Sequence, residues 1–359
     1  MSQVSTNVNV SSSVVNPEQL LEVIEAVSDT NYSKIYLKQS GFDTSNSWET
    51  TKSNIVGQLS GKRNAPAKAT IANLEKITKA LMVLGKHHCE FFKLSKREHQ
   101  YLLLNATAFS FDGKPYSDSF PAFVPCNLLT TPNMPVLTSI EKNKSGVVFY
   151  FSTPREVTKR IHSQVMVGGT LRPVSYPVDV REQHFDTVFI PNDSARAEFR
   201  INSTVGKKDI TKQMENLQDL FVTILGNNKL KLADVNPVNI NAAIDTIYND
   251  ATFGRVVDTV FWSDDNGIAI PRECRKEVDV CLRKQPYHLE GAKIEKVKCV
   301  SVCVRFEKTI DKVNLKVKTE LRLESLAQFN YTVSKRFEII NPRGFAHAIS
   351  LISEIEKAI

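Results

Sequence analysis

The sequence predicts a multidomain α+β chain, with an all-α bundle at its N-terminus and an antiparallel sheet with helices beyond it. Three observations predict this. Apolar residues recur at helical spacing through the first hundred residues, as in Leu20, Leu21, Ile24 and Val27 and again in Ile71, Leu74, Ile77 and Leu81. Five of the fifteen prolines then fall between Pro115 and Pro135, where regular structure is disfavoured. Finally, Val313, Leu315, Val317, Leu321 and Leu323 alternate with Asn314, Lys316, Lys318, Glu320, Arg322 and Glu324, the period of a strand with one buried and one wet face.

Residues 1–16 carry no charge and read as a flexible tail. Asn16 and Pro17 have the residue types of an N-cap and a first helical turn, so a helix starts there. Ser53 to Leu81 reads as a short helix, a basic turn and a longer amphipathic helix. Gly61 ends the first of these, Lys62 and Arg63 follow at once, and Thr70 caps the second. Ser95 and Glu98 have capping-box spacing for a helix to Asn105. The bundle therefore spans 17–108, a Pro-rich linker or arm 109–146, and the α+β region 147–359, which could divide again.

Within that last region, strands are expected at Val147–Phe151, Val165–Gly168, Thr187–Ile190 and Glu198–Asn202, and helices at Thr211–Leu225 and Ile240–Tyr248. Asp264-Asp265-Asn266-Gly267 signals a hairpin between Val256–Trp262 and Ile268–Ile270. A meander of Val297–Phe306, the alternating strand and Tyr331–Ile340 precedes a last helix lined by Phe345, Ile349, Ile352 and Ile355.

The formal charge is +7, and the window Thr50–Glu98 holds ten Lys or Arg against three acids, also +7. A basic surface of this kind attracts phosphate backbones. No run of about 18 apolar residues is present, so no membrane-spanning helix is expected. No basic stretch followed by an apolar run opens the chain, and six scattered cysteines suggest no disulfide framework, so a reducing cytoplasm is the expected compartment.

The stretch Gly61-Lys62-Arg63 followed by Thr70–Leu81 resembles the lambda-repressor-like helix-turn-helix family of regulators. Tyr32–Gly41 would be its scaffold helix, although the loop Phe42–Glu49 is longer than the usual tight turn and Leu37 is large for a helix contact. The resemblance covers about Glu18–Ala106 and implies binding to double-stranded DNA. It assigns base reading to Thr51, Lys52, Ser53, Asn54 and Gln58, and phosphate binding to Lys62, Arg63, Asn64 and Lys68. It also implies a homodimer or higher homo-oligomer, because one recognition helix reads only a half-site.

The expected function is a DNA-binding transcriptional regulator, such as a repressor, whose C-terminal region dimerises or senses a ligand. The alternative is a phage or mobile-element interaction or assembly protein whose helices bind protein. A small-molecule effector is left open. No cofactor or metal site is expected: His87, His88, Cys89 and His99 lack zinc spacing, and read more simply as a polar helix end. Cys299 and Cys303 read as core residues. Gly168-Gly169 lacks a phosphate-loop context, and no catalytic signature supports an enzyme.

Overall fold

The computed structural model describes residues 16–167, 170–203, 209–263, 268–277, 280–286, 289–290, 297–310, 315–324 and 333–359. Four helices open it: α1 (Pro17–Val27), α2 (Thr30–Gln39), α3 (Trp48–Leu59) and α4 (Ile71–Leu84). Their starts follow local chemistry. Asn16 Oδ1 accepts from Glu18 N at 2.9 Å, and Thr70 Oγ1 accepts from Asn73 N at 3.2 Å. Strand β1 (His87–Lys93) comes next, then α5 (Lys96–Asn105), entered through the expected capping box of Ser95 and Glu98.

Beyond Ala108 the chain runs along the surface. It forms a short α6 (Tyr116–Ser119) and inserts Phe120 and Phe123 against Tyr150 and Phe185 before β2 (Val136–Asn143). A long hairpin follows, β3 (Gly146–Val167) and β4 (Thr170–Pro191), then β5 (Arg196–Asn202), α7 (Ile210–Asn227) and α8 (Asn241–Asn249). The chain closes with β6 (Arg255–Ser263), β7 (Ile268–Glu273), β8 (Val297–Ile310), β9 (Leu315–Glu324), β10 (Phe337–Ile340) and α9 (Phe345–Lys357). The Asp264–Gly267 turn lies outside the described residues, but β6 and β7 pair antiparallel up to Ser263 opposite Ile268.

All ten strands form one antiparallel sheet, ordered β2-β3-β4-β5-β1-β10-β9-β8-β6-β7. The α+β class and the C-terminal meander therefore hold. The domain division does not follow the sheet: β1, inside the expected 17–108 unit, lies between β5 and β10 near its middle. Helices α1–α4 share a core with Val148, Tyr150, Phe185 and Phe189. Ala197, Phe199 and Ile201 alternate to the opposite face and pack with Met214, Leu217 and Phe221 of α7. The far half of the sheet packs on α8 and α9 through Ile244, Ile247, Ile352 and Ile355. Among the described residues no helix is long and apolar enough to cross a membrane.

The polar helix end expected at His87–Cys89 is a central strand instead. His87, His88 and Cys89 are buried in β1, and neighbours along a strand point to opposite faces. Cys299 and Cys303 are buried free thiols. The expected strands at 147–151 and 187–190, and residues 165–167 of a third, are parts of the single β3–β4 hairpin; Gly168-Gly169 lies outside the described residues.

Candidate nucleic-acid interface

Helix α3 begins where Ser47 Oγ accepts from Thr50 N at 3.0 Å. Trp48, Thr51, Asn54, Ile55 and Gln58 make its buried side. Three of these were expected to read bases, and the structure turns them inward. Thr51 Oγ1 donates to Ser47 O at 2.8 Å and accepts from Ser45 N at 2.9 Å. Gln58 Oε1 accepts from Asp43 N at 2.9 Å, and its Nε2 donates to Asn64 O at 3.4 Å. Asn54 is 6% exposed. The physical reason is the long loop before α3 and the turn after it. Both have backbone groups that need partners, and Thr51 and Gln58 supply them.

Lys52 and Ser53 do reach the solvent side, but Lys52 is held by Glu49 at 2.7 Å and Glu25 at 3.2 Å. The Glu49 carboxylate raises the Lys52 ammonium pKa above its ordinary value. The depression over this side of α3 is lined by Glu18, Glu22 and Glu49 as well as by Lys52, Lys62 and Arg63. Three carboxylates balance three cations, so no net field there favours a phosphate backbone. The +7 window depended on starting after Glu49: over residues 16–86, eight Lys and one Arg stand against seven acids, a net charge of +2.

The phosphate-binding set is placed differently. Lys62, Arg63, Asn64 and Lys68 are all exposed on the turn after α3. Gly61 at φ +75° lets the chain reverse there, and Arg63 N closes the turn on Gly57 O at 3.0 Å. Arg63 lies 3.4 Å from Asp43, an exposed pair that water screens well. Lys68 Nζ donates to Gln39 O at 2.9 Å, which brings this turn against the end of α2. Gly41 makes that approach feasible: its φ is +83°, and a Cβ would meet Pro66 Cγ at 2.7 Å.

From that junction a cleft runs between α2 and the start of β9. It is lined by Lys34, Lys38, Lys316 and Lys318, with Tyr32, Asn31, Asn46 and Asn341 and one acid, Asp29. Lys34 Nζ donates to Asn46 O at 2.7 Å, and Lys316 pairs with Glu307. Lys34 and Lys38 were absent from the sequence-based set because they precede the basic window. Lys316 and Lys318 were visible only as the wet side of an alternating strand. Together the turn and cleft place seven cations (Lys34, Lys38, Lys62, Arg63, Lys68, Lys316, Lys318) near six acids: Asp29, Asp43 and Glu307, and Glu18, Glu22 and Glu49 beside Lys62 and Arg63.

Two buried acids elsewhere are neutralised by arginines. Glu320 accepts from Arg275 and Arg305; burial would raise its pKa, but these two guanidinium groups lower it. Glu90 is bound by Arg336 at 2.7 Å and by Gln218 at 3.0 Å. Among the described residues no group of three His, Cys, Asp or Glu is arranged to hold a metal ion. No protein-family model, curated protein or solved structure matches the chain.

Proposed function

We propose that the protein is a DNA-binding regulator that holds the duplex mainly by its phosphates, through the α3–α4 turn and the cleft between α2 and β9. The observation that carries this reading is the cleft between α2 and β9, where Lys34, Lys38, Lys316 and Lys318 share a lining with one acid, Asp29. Phosphate contacts fix position and supply affinity without reading sequence. Base reading would fall to Ser53 and Lys52, since Thr51, Asn54 and Gln58 serve the fold. The succession of α2 and α3 supports the helix-turn-helix reading, in which α2 would be the scaffold and α3 the recognition helix.

The test is fluorescence anisotropy of a labelled duplex titrated at several salt concentrations. Wild type is compared with a Lys62→Ala/Arg63→Ala variant and a Lys316→Ala/Lys318→Ala variant. Log affinity should fall steeply with log salt, and each double variant should reduce that slope by about 1.8, roughly 0.9 per lost phosphate contact. Absence of binding at low salt, or slopes indifferent to both variants, overturns the reading. The alternative of an assembly protein is favoured by a different feature, the hairpin of β3 and β4.

A further inference from the structure

Strand β2 pairs with β3 only to Ser152, and β5 pairs with β4 only from Thr187. Beyond those points β3 and β4 continue alone, in unbroken register from Thr153 opposite His184 to Val167 opposite Thr170. The twelve pairs from Glu156 outward make a ribbon of roughly 40 Å at about 3.3 Å per residue. A lone two-stranded ribbon is at best marginally stable in water, whereas a sheet of more strands with an apolar face stands by itself.

The ribbon is amphipathic. Directly paired residues share a face, so Val157, Val180, Val178, Ile161, Tyr176, Val174 and Val165 lie on one side, interrupted by Lys159, Ser163 and Arg172. The other side carries Glu156 opposite Arg181, Thr158 opposite Asp179 and His162 opposite Ser175. Ile161, Val165 and Tyr176 are 40%, 45% and 47% exposed. A buried polar group, Arg155, Thr153 and Asp186, separates this apolar side from the core under α7. The apolar side of the ribbon is therefore distinct from the protein's own core.

The two edges of the ribbon are unequal. Pro154, Pro173 and Pro177 all occur in pairs of one parity, even-numbered in β3 and odd-numbered in β4. A proline has no N–H to give to the ladder, so these pairs direct their backbone groups outward. The Pro154 carbonyl confirms it by accepting from Asn133 N at 2.6 Å, outside the ribbon. On β4, Pro173 and Pro177 thus delete outward donors and blunt that edge. On β3, residues 156, 158, 160, 162, 164 and 166 keep theirs, with no strand beside them.

We propose that this open β3 edge pairs antiparallel with the β3 edge of a second copy of the chain, about a twofold axis at Ile161. Outward-directed residues then face each other: Arg160 meets His162, Thr158 meets Gln164, and Glu156 meets Met166. Between them Ile161 meets its own symmetry mate and Val157 meets Val165, so the apolar sides join into one four-stranded surface. Shifting the axis to residue 160 would set Arg160 against itself, so the axis at Ile161 avoids that repulsion. One open edge and one blunted edge give a closed pair rather than a fibre, as an isologous contact requires. This assembly is independent of nucleic-acid binding.

The test uses the full chain with exposed Cys126 replaced by Ser. Sedimentation velocity at micromolar concentration should show a dimer. Thr158→Pro/His162→Pro removes two outward donors without touching ladder bonds, and should give a monomer with unchanged circular dichroism and melting temperature. Under mild oxidation, Ile161→Cys should cross-link to itself, because directly opposed non-hydrogen-bonded residues have Cα atoms about 4.5 Å apart. Val165→Cys should not, since it faces Val157. A monomeric parent chain overturns the proposal. So does a dimer that survives the proline pair, or one that cross-links through residue 165 in preference to 161.

Discussion

At Phe149 and at Ile161 the same strand does the same thing locally. Both residues sit on one face of β3, both are opposed by a β4 residue in the same continuous register, and both are apolar. Phe149 is fully buried and meets the Phe221 ring edge-on with centroids 5.2 Å apart; Ile161 is 40% exposed. The charges divide in the same way. Arg155 and Asp186 form an ion pair with side chains 2% and 3% exposed, while Lys159 and Glu182, four positions further out, are 56% and 35% exposed. Backbone pairing alone thus fixes neither burial nor energetic weight. Neighbouring strands and helices do, and they end at the root of the hairpin.

The sharpest way to break this comparison is to remove one carboxylate from each half. Asp186 accepts from Arg155 and Thr153 at 2.6 Å and from Asn202 N at 3.1 Å, so Asp186→Ala strands a buried guanidinium and a backbone donor. The expected cost is about 3–5 kcal/mol in urea unfolding. Glu182→Ala removes a solvated partner, and should cost less than about 1 kcal/mol. Equal costs would mean that the outer ribbon is as dry as its root.

A smaller effect follows from pH. Burial, aided by the nearby Arg200, pushes the His87 imidazole down to about 4; burial and Arg155 do the same to His184. The folded pKa lies below the unfolded value of about 6.5, so the unfolded chain binds these protons first. Stability contributed by the neutral rings is present above pH 6.5, falls as pH drops, and levels off below about 4. The loss should reach roughly 3 kcal/mol per ring. Melting temperature against pH should show it, with a shallower fall in His87→Gln.

The parts of this fold legible in the sequence are those decided locally. Asn16, Thr70 and Ser95 cap their helices with their own side chains, and β9 alternates because one side is wet. The hairpin is not legible as one unit, because prolines such as Pro154, Pro173 and Pro177 argue against a continuous strand. They are tolerated because no neighbouring strand needs their missing donors. Strand β1 was hidden for the opposite reason: buried on both faces, His87–Lys93 has no alternation to detect. At the candidate interface, the helix-turn-helix resemblance pointed Thr51, Asn54 and Gln58 outward. Their burial is set by loop backbone groups that no pattern in α3 reveals.

The smallest expected effect is the most informative about the ribbon. Ile161→Ala removes an apolar side chain from a strand, and in the core beside Phe149 such a truncation would cost several kcal/mol. On the ribbon, a dilute monomer has nothing packed over Ile161, so unfolding free energy should change by less than about 0.5 kcal/mol. At concentrations where the proposed pairing forms, the same substitution should weaken association instead, because Ile161 then meets its symmetry mate. Chemical unfolding at two protein concentrations separates these cases. A concentration-independent loss above about 1 kcal/mol would place a cover over the apolar face within a single chain, and the contrast between the two halves of β3 would then be one of degree.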